Sequence, residues 1–421
     1  MPQAIALYIG AVLGSGVLLV PGLAAEVAGP ASLLSWGLMT ILVLPLALSM
    51  GLLSAKYPHA GGVSHYVTLA FGPTMGSLVG WFFLMSVPIG APIAALTGAG
   101  YLTAALGLGE SARVAIAALM LLASLMINVI GMKVVGRVQI IVVIAILLVL
   151  LLSIFGSIPY MDKVHFTPFL PQGWSSVGRA TALLYWCFIG WEAISHLSEE
   201  FRDPQKTAVK GVTIAAIIVG TLYFLTALAT IGTGSYLDTG AQAPLVSVIS
   251  RLLGTTGGIL AGLTGMFICT ATIMAYVGAT SRLAYALAKV GDAPRGLAVL
   301  SSRFGTPVGG IAFLGASFVV VMALYIGGVL SMTQLIQLPN ATFILTYLGG
   351  CAAGIRLFKG NRLGRTLCIL SFVATACIFP FVGHAVLYPL LILAIYGLVM
   401  LHRRFPVDRP ILFDGERDRE G

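Results

Sequence analysis

Ile9-Gly10-Ala11-Val12-Leu13-Gly14-Ser15-Gly16-Val17 sits in the middle of the first long apolar stretch, and Pro21-Gly22 follows shortly after. About 20 apolar residues suffice to cross ~30 Å of hydrocarbon as a helix. A Gly-Ser-Gly run inside such a helix is where backbone amides and carbonyls come unpaired. At membrane depth that is tolerated only where the backbone is buried in protein or lines a cavity. A second apolar stretch is interrupted in the same way by Phe188-Ile189-Gly190-Trp191-Glu192, which places an ionisable residue in mid-span. Glycine-rich spans also pack closely without breaking, and with 51 glycines in the chain a single one means little. Two interruptions five spans apart mean more, because inverted repeats that each open with a broken helix put them there.

Of the 421 residues 58% are hydrophobic and 9% charged, with a mean hydropathy of +1.02. A soluble domain carries roughly 25% charged residues, so water is not the solvent for most of this surface. Apolar spans are expected near residues 4–28, 31–55, 74–106, 112–131, 135–158, 177–200, 208–234, 256–288, 308–328, 332–356, 363–380 and 383–402. This gives one all-α polytopic domain over 1–402, with repeats near 4–158 and 177–356, two further helices at 363–402, and a charged tail at 403–421. Several spans exceed the minimum length, so tilting or kinking is expected.

The net charge of +9 sits in short basic clusters between the spans rather than on one face, which argues topology and not nucleic acid. With a cytoplasmic N-terminus, 19 of the 23 Lys and Arg fall on the cytoplasmic side and only Arg113, Lys163, Arg179 and Arg251 outside. That asymmetry predicts twelve spans, both termini cytoplasmic, in the inner (plasma) membrane. The first Lys or Arg is Lys56, so the opening stretch is read as a membrane helix and not as a signal peptide. Five cysteines lie in or beside apolar stretches without paired spacing and read as small hydrophobes. Asn340-Ala341-Thr342 matches a glycosylation sequon but falls inside the tenth span, where no glycan is added.

Helix ends supply the chemistry. The part of the first helix that starts near Gly16 directs free amides and about half a positive charge at its break, which suits a carboxylate. The part of the sixth that ends near Phe188 leaves carbonyls and the opposite partial charge, which suits an ammonium. Together they make a receptor for a zwitterion. Ser15 can add a hydroxyl, although a serine in a helix more often bonds its own backbone.

These runs, with Tyr57-Pro58-His59-Ala60-Gly61-Gly62-Val63-Ser64-His65-Tyr66, Phe71-Gly72, Glu199-Glu200, Asp203-Pro204 and Ser281-Arg282-Leu283-Ala284-Tyr285-Ala286, resemble the amino acid-polyamine-organocation (APC) superfamily. Gly80-Trp81-Phe82-Phe83-Leu84, Pro88-Ile89-Gly90-Ala91-Pro92 and His65 look most like its bacterial exporters of methionine and branched-chain amino acids. The resemblance implies a five-plus-five inverted-repeat fold, discontinuous first and sixth helices, and alternating access. It implies that Ser15, Gly16 and Val17 supply amides to the substrate carboxylate and that Trp186, Cys187 and Ile189 offer carbonyls to its amine, with Trp186 covering the substrate and Gly14, Gly190 and Trp191 completing the expected binding set. Glu192 is implied either as a proton carrier or as a neutral acid tying the broken helix to its neighbours. Thr280 and Ser281 are candidate oxygens for a sodium ion, while residues 140–152 carry no charge, against lysine-based coupling.

With Glu192 the only acid deep in the spans, the cargo is expected to be a neutral amino acid, with Val87, Pro88, Ile89, Trp191, Met266, Met274 and Met332 as candidate pocket residues. Motifs for a metalloprotease, a serine hydrolase or a nucleotide-binding loop are missing, so neither an enzyme nor an ATP-driven pump is expected, and no cofactor or metal. A proton, a sodium ion or no coupling ion all fit this sequence, as do export, uptake and exchange, and it names no oligomeric state. A channel or non-transporting receptor is the competing class.

Overall fold

The computed structural model describes residues 9, 12–59, 62–131, 135–191, 204–238 and 243–402. Its principal helices are α1 (Gly16–Ala28), α2 (Ser32–Lys56), α3 (Gly62–Phe71), α4 (Pro73–Leu106), α5 (Glu110–Ile130), α6 (Val135–Ser157) and α7 (Trp174–Leu184). They continue with α8 (Pro204–Gly232), α9 (Pro244–Lys289), α10 (Val308–Ile326), α11 (Met332–Leu357), α12 (Arg362–Ile378) and α13 (Leu387–His402). No strand occurs among the described residues.

Nine apolar stretches among the described residues are long enough to cross a membrane. Two of them, Gly16–Lys56 and Arg362–Leu401, each take in two helices, α1 with α2 and α12 with α13. The protein is therefore an all-helical integral membrane protein. Residues 192–203 and the tail at 403–421, and with them Glu192, lie outside the described residues.

The two longest helices each carry a backbone irregularity. The 46 residues of α9 divide at Gly254, whose φ of 68° and ψ of −166° are not helical. The eighth span predicted near 256–288 thus begins just past a kink, with a separate short helix before it. In the 34-residue α4, Pro88 and Pro92 each remove an internal hydrogen bond.

The centre of the bundle is α4, packed against α9, α11, α5, α3 and α10. Its most apolar window is 78% buried against 28% for the α12–α13 stretch, which marks the latter pair as peripheral. Hydroxyls inside the helices return to the carbonyl a turn earlier, as Thr97 does to Ile93 and Ser124 to Met120, each at 2.8 Å. Such back-bonding satisfies a polar group where no water is available. Lys56, Lys289 and Arg356 all lie in the last turns of their helices, α2, α9 and α11, and define a basic end of the molecule.

Candidate functional site

The first helix is interrupted at Leu13–Ser15. The amide of Leu13 closes the preceding turn on the Ile9 carbonyl at 2.7 Å, and α1 resumes at Gly16. Ser15 stands at the cap position with no capping hydrogen bond from its side chain. Its carbonyl accepts from the Leu18 amide at 3.2 Å. A helix that starts here has no preceding turn to receive its opening amides, and these are the groups an anion meets.

The second interruption has a different build. After Leu184 the chain tightens into a 3-10 turn over Tyr185–Phe188, becomes extended at Ile189 and turns at Gly190, whose φ of +123° favours glycine. Cys187, Phe188, Ile189, Gly190 and Trp191 are buried, and Trp186 is half-buried.

The two interruptions meet. A Cβ placed on Gly16 would stand 3.1 Å from the Cys187 Cα, the Cys187 Sγ and the Trp186 Cδ1, so only a glycine admits this approach without displacing a neighbour. Gly14 faces α9, where a Cβ would lie 3.8 Å from Thr272. The far corner of the Trp186 ring, Cη2, would be 2.9 Å from a Cβ on Gly90 of α4. Gly14, Trp186, Gly90 and Thr272 touch interior neighbours and still keep accessible surface, which puts open space beside the breaks. Phe83 and Tyr276, also half-buried, stack with centroids 6.5 Å apart, and Phe343 meets Phe83 edge-on at 6.0 Å. By helix rise Phe83 lies about 10 Å along α4 from Gly90, toward the basic end. In the other direction Val17, Leu18, Leu19 and Val20 are all 0% exposed, so the accessible side is the basic one.

Neighbouring helices hold the broken ends. The Asn340 amide of α11 donates to the carbonyls of Ala182 and Leu183, at 3.2 and 3.1 Å. The Tyr347 hydroxyl donates to Phe188 at 3.4 Å. On the other break, the Tyr223 hydroxyl of α8 donates to Val12 at 3.0 Å and that of Tyr101 on α4 to Leu18 at 2.6 Å. Trp36, Phe188 and Tyr223 form an aromatic cluster behind them, with centroids 5.2 to 6.3 Å apart. The Oδ1 of Asn340, the Oγ1 of Thr280 and the Nε1 of Trp191 are buried without a hydrogen-bond partner among the described residues.

The remaining expected residues scatter. Thr280 and Ser281 lie two turns along α9 from Thr272, about 12 Å by helix rise. Ser281 packs against α10, where a Cβ on Gly310 would meet its carbonyl at 2.9 Å. Met332 opens α11, two turns before Asn340, and Met266 packs on Gly98 of α4. Val87 and Ile89 are buried beside Gly90. Sequence reasoning passed over Thr272, Asn340, Tyr101 and Tyr223. For Asn340 the signal was present: a carboxamide in mid-span is costly in lipid and needs partners, but the sequon drew attention to glycosylation instead.

Two features lie away from the breaks. A cavity of about 540 Å³ at the end opposite the basic one is lined by Glu26, Gly29, Pro30, His165, Gln172 and Tyr236 among others. Burial raises the Tyr236 phenol above its ordinary value. Arg113, expected on the outer side, is 2% exposed and donates to the Leu96 carbonyl at 2.9 Å, to Tyr325 at 3.1 Å and to Glu110 at 3.3 Å. On the basic side His59 and His65 stack 3.8 Å apart, and burial together with His59 holds the His65 imidazole below its usual 6.5. The four cysteines Cys187, Cys269, Cys351 and Cys368 are buried thiols, and Cys377 is exposed.

Residues 1–407 match the amino acid permease family. The chain is 37% identical over 374 residues to an uncharacterized amino acid permease of Bacillus subtilis, YecA, covering 89% of this chain and 88% of the relative. It is 31% identical over 382 residues to the L-methionine/branched-chain amino acid exporter YjeH of Escherichia coli, covering 88% and 90%. The branched-chain amino acid permease BcaP of Bacillus subtilis shares 25% over 356 residues, covering 79% and 75%. With a family match along almost its whole length and two relatives above 30% identity, the chain belongs to the amino acid permease family of the APC superfamily.

Proposed function

We propose that this permease is a secondary carrier of neutral L-amino acids that exports methionine, leucine, isoleucine and valine by alternating access. Twelve spans are proposed, the first ten as two inverted repeats of five, with both termini on the cytoplasmic, basic side. The observation that carries the reading is the approach of Gly16 to Trp186 and Cys187, which sets the amide-rich start of one helix against the carbonyl-rich end of another. A zwitterion between them has its carboxylate at the amides of Ser15, Gly16 and Val17 and its ammonium at the carbonyls of Trp186, Cys187 and Ile189. No described Asp, Glu, Lys or Arg lines the gap to pair with a charged side chain, which supports neutral cargo. The similarity to YjeH supports methionine and branched-chain substrates and the outward direction.

The test is counterflow and efflux of labelled leucine and methionine in proteoliposomes, with pH and sodium varied separately. Exchange saturating with neutral amino acids and absent for lysine and glutamate is expected. Passive flux that does not saturate means a channel, and no flux in correctly inserted protein overturns the carrier. The similarity to BcaP, named a permease and not an exporter, leaves uptake or exchange as the second reading, and efflux against import under an imposed gradient separates the directions. Dependence on sodium would assign an ion to Thr280, whose buried hydroxyl is unpartnered among the described residues. Dependence on pH alone removes that assignment.

A further inference from the structure

The indole of Trp186 lies between two glycines on different helices. Its pyrrole edge faces Gly16, where a Cβ would stand 3.1 Å from Cδ1, and its far benzo corner faces Gly90, where a Cβ would stand 2.9 Å from Cη2. The ring therefore bridges from the first break to the middle of α4, and it fits only because neither position carries a side chain. Gly90 is flanked by Pro88 and Pro92, and its neighbours Ile89 and Ala91 are buried while Gly90 and Trp186 keep accessible surface. The ring thus borders open space on one side and is walled by backbone on two others.

We propose that Gly90 is a specificity-determining residue of this carrier: by letting the Trp186 indole rest against α4, it sets how much room remains for the substrate side chain. This rests on the chain being a carrier of neutral amino acids with its site at the breaks. Carbon atoms pack at about 3.5 to 4.0 Å, so a methyl at Gly90 must drive the ring away by some tenths of an ångström to 1 Å. Gly16 and Cys187 close the route toward α1, and the ring tips into the open side, where the substrate side chain goes. The loss falls first on long side chains such as those of leucine and methionine and last on that of alanine.

Competition by alanine, valine, leucine, methionine and phenylalanine against labelled alanine, in counterflow with purified protein, tests this. Gly90→Ala is expected to lower the leucine-to-alanine and methionine-to-alanine ratios by about tenfold or more, the range one methylene commands in an apolar pocket. Trp186→Phe, which deletes the Cη2 corner, is expected to restore the ratios when added to Gly90→Ala. By itself it is expected to let phenylalanine compete better. A loss in Gly90→Ala that is uniform across the series and not rescued by Trp186→Phe overturns the assignment. If Gly90→Ala is not monodisperse in detergent, Trp186→Phe alone decides, and an unchanged size profile overturns it equally. Failure of the unmodified protein to exchange any of the five would instead refute the carrier reading.

Discussion

The two broken helices solve opposite problems. At the first break the chain restarts as a helix at Gly16, and what the proposed site requires of that start is space: side chains are absent at Gly14 and Gly16 and the partner backbone comes close. At the second break a helix ends, and what the ending requires is donors. Asn340 and Tyr347 reach across from α11 to donate to carbonyls at Ala182, Leu183 and Phe188 in an apolar interior. An opening made by removing atoms is sensitive to added volume. An ending supported by side chains is sensitive to lost hydrogen bonds.

The largest effect expected follows from the first half of that contrast. Gly16→Leu adds a side chain where one carbon already stands at 3.1 Å, and it should reduce leucine counterflow by more than about 100-fold, the loss that an ångström of misplacement can bring. Near-normal transport by a correctly inserted variant would end the contrast, since the start of α1 would then need no space.

Asn340→Ala probes the other half. Removing two donated hydrogen bonds from a buried position should cost about 1–3 kcal/mol of stability, read as a lower melting temperature in detergent. The unpartnered Oδ1 works against the full cost, because the same substitution removes a buried acceptor that has no partner among the described residues. A melting temperature unchanged or raised, with transport intact, would mean that the end of α7 is held by packing alone.

How much of this was legible in the sequence divides along the same line. Gly14-Ser15-Gly16 and Ile189-Gly190 announce interruptions because a glycine's lack of a side chain is local information, and the apolar run lengths place most of the described helices within a few residues, whereas α3 lies in no predicted run, α7 ends at Leu184 and α9 starts at Pro244, before its predicted run. What the sequence did not disclose is who supports each end. Asn340 lies 157 residues beyond Leu183 and Tyr101 lies 83 beyond Leu18, and such pairings are set by how helices cross, which run length does not encode. The partners of Arg113 were hidden for a related reason: a charge at the start of an apolar run says nothing of Gly100, which leaves room for its guanidinium against α4.

A smaller pair sharpens the comparison within one side-chain type. Tyr223→Phe removes a 3.0 Å bond to Val12 at the first break, and Tyr347→Phe a 3.4 Å bond to Phe188 at the second. Each should cost about 0.5–1.5 kcal/mol, with Tyr223→Phe the more damaging because its bond is the shorter. Asn340 also supports the second break, so the double variant Asn340→Ala/Tyr347→Phe should lose more than the two single losses combined. Strict additivity in melting temperatures would show that the two groups do not share the load.

The smallest expected effect separates the breaks from the basic end. Gly16 and Asn340 do not titrate, so acidification acts on neither of the substituted groups. His65 is different: burial and His59 hold its pKa in the folded protein below 6.5, the ordinary value that the unfolded chain keeps. The unfolded chain then takes up the proton first, so His65's share of stability is whole above pH 6.5. It declines as pH falls through the window down to the lower folded value. His65→Gln should flatten that part of the melting-temperature profile between about pH 7 and 5 while leaving the pH 8 value little changed. An equal slope in both proteins would trace acid sensitivity to another group and remove His65 from the account.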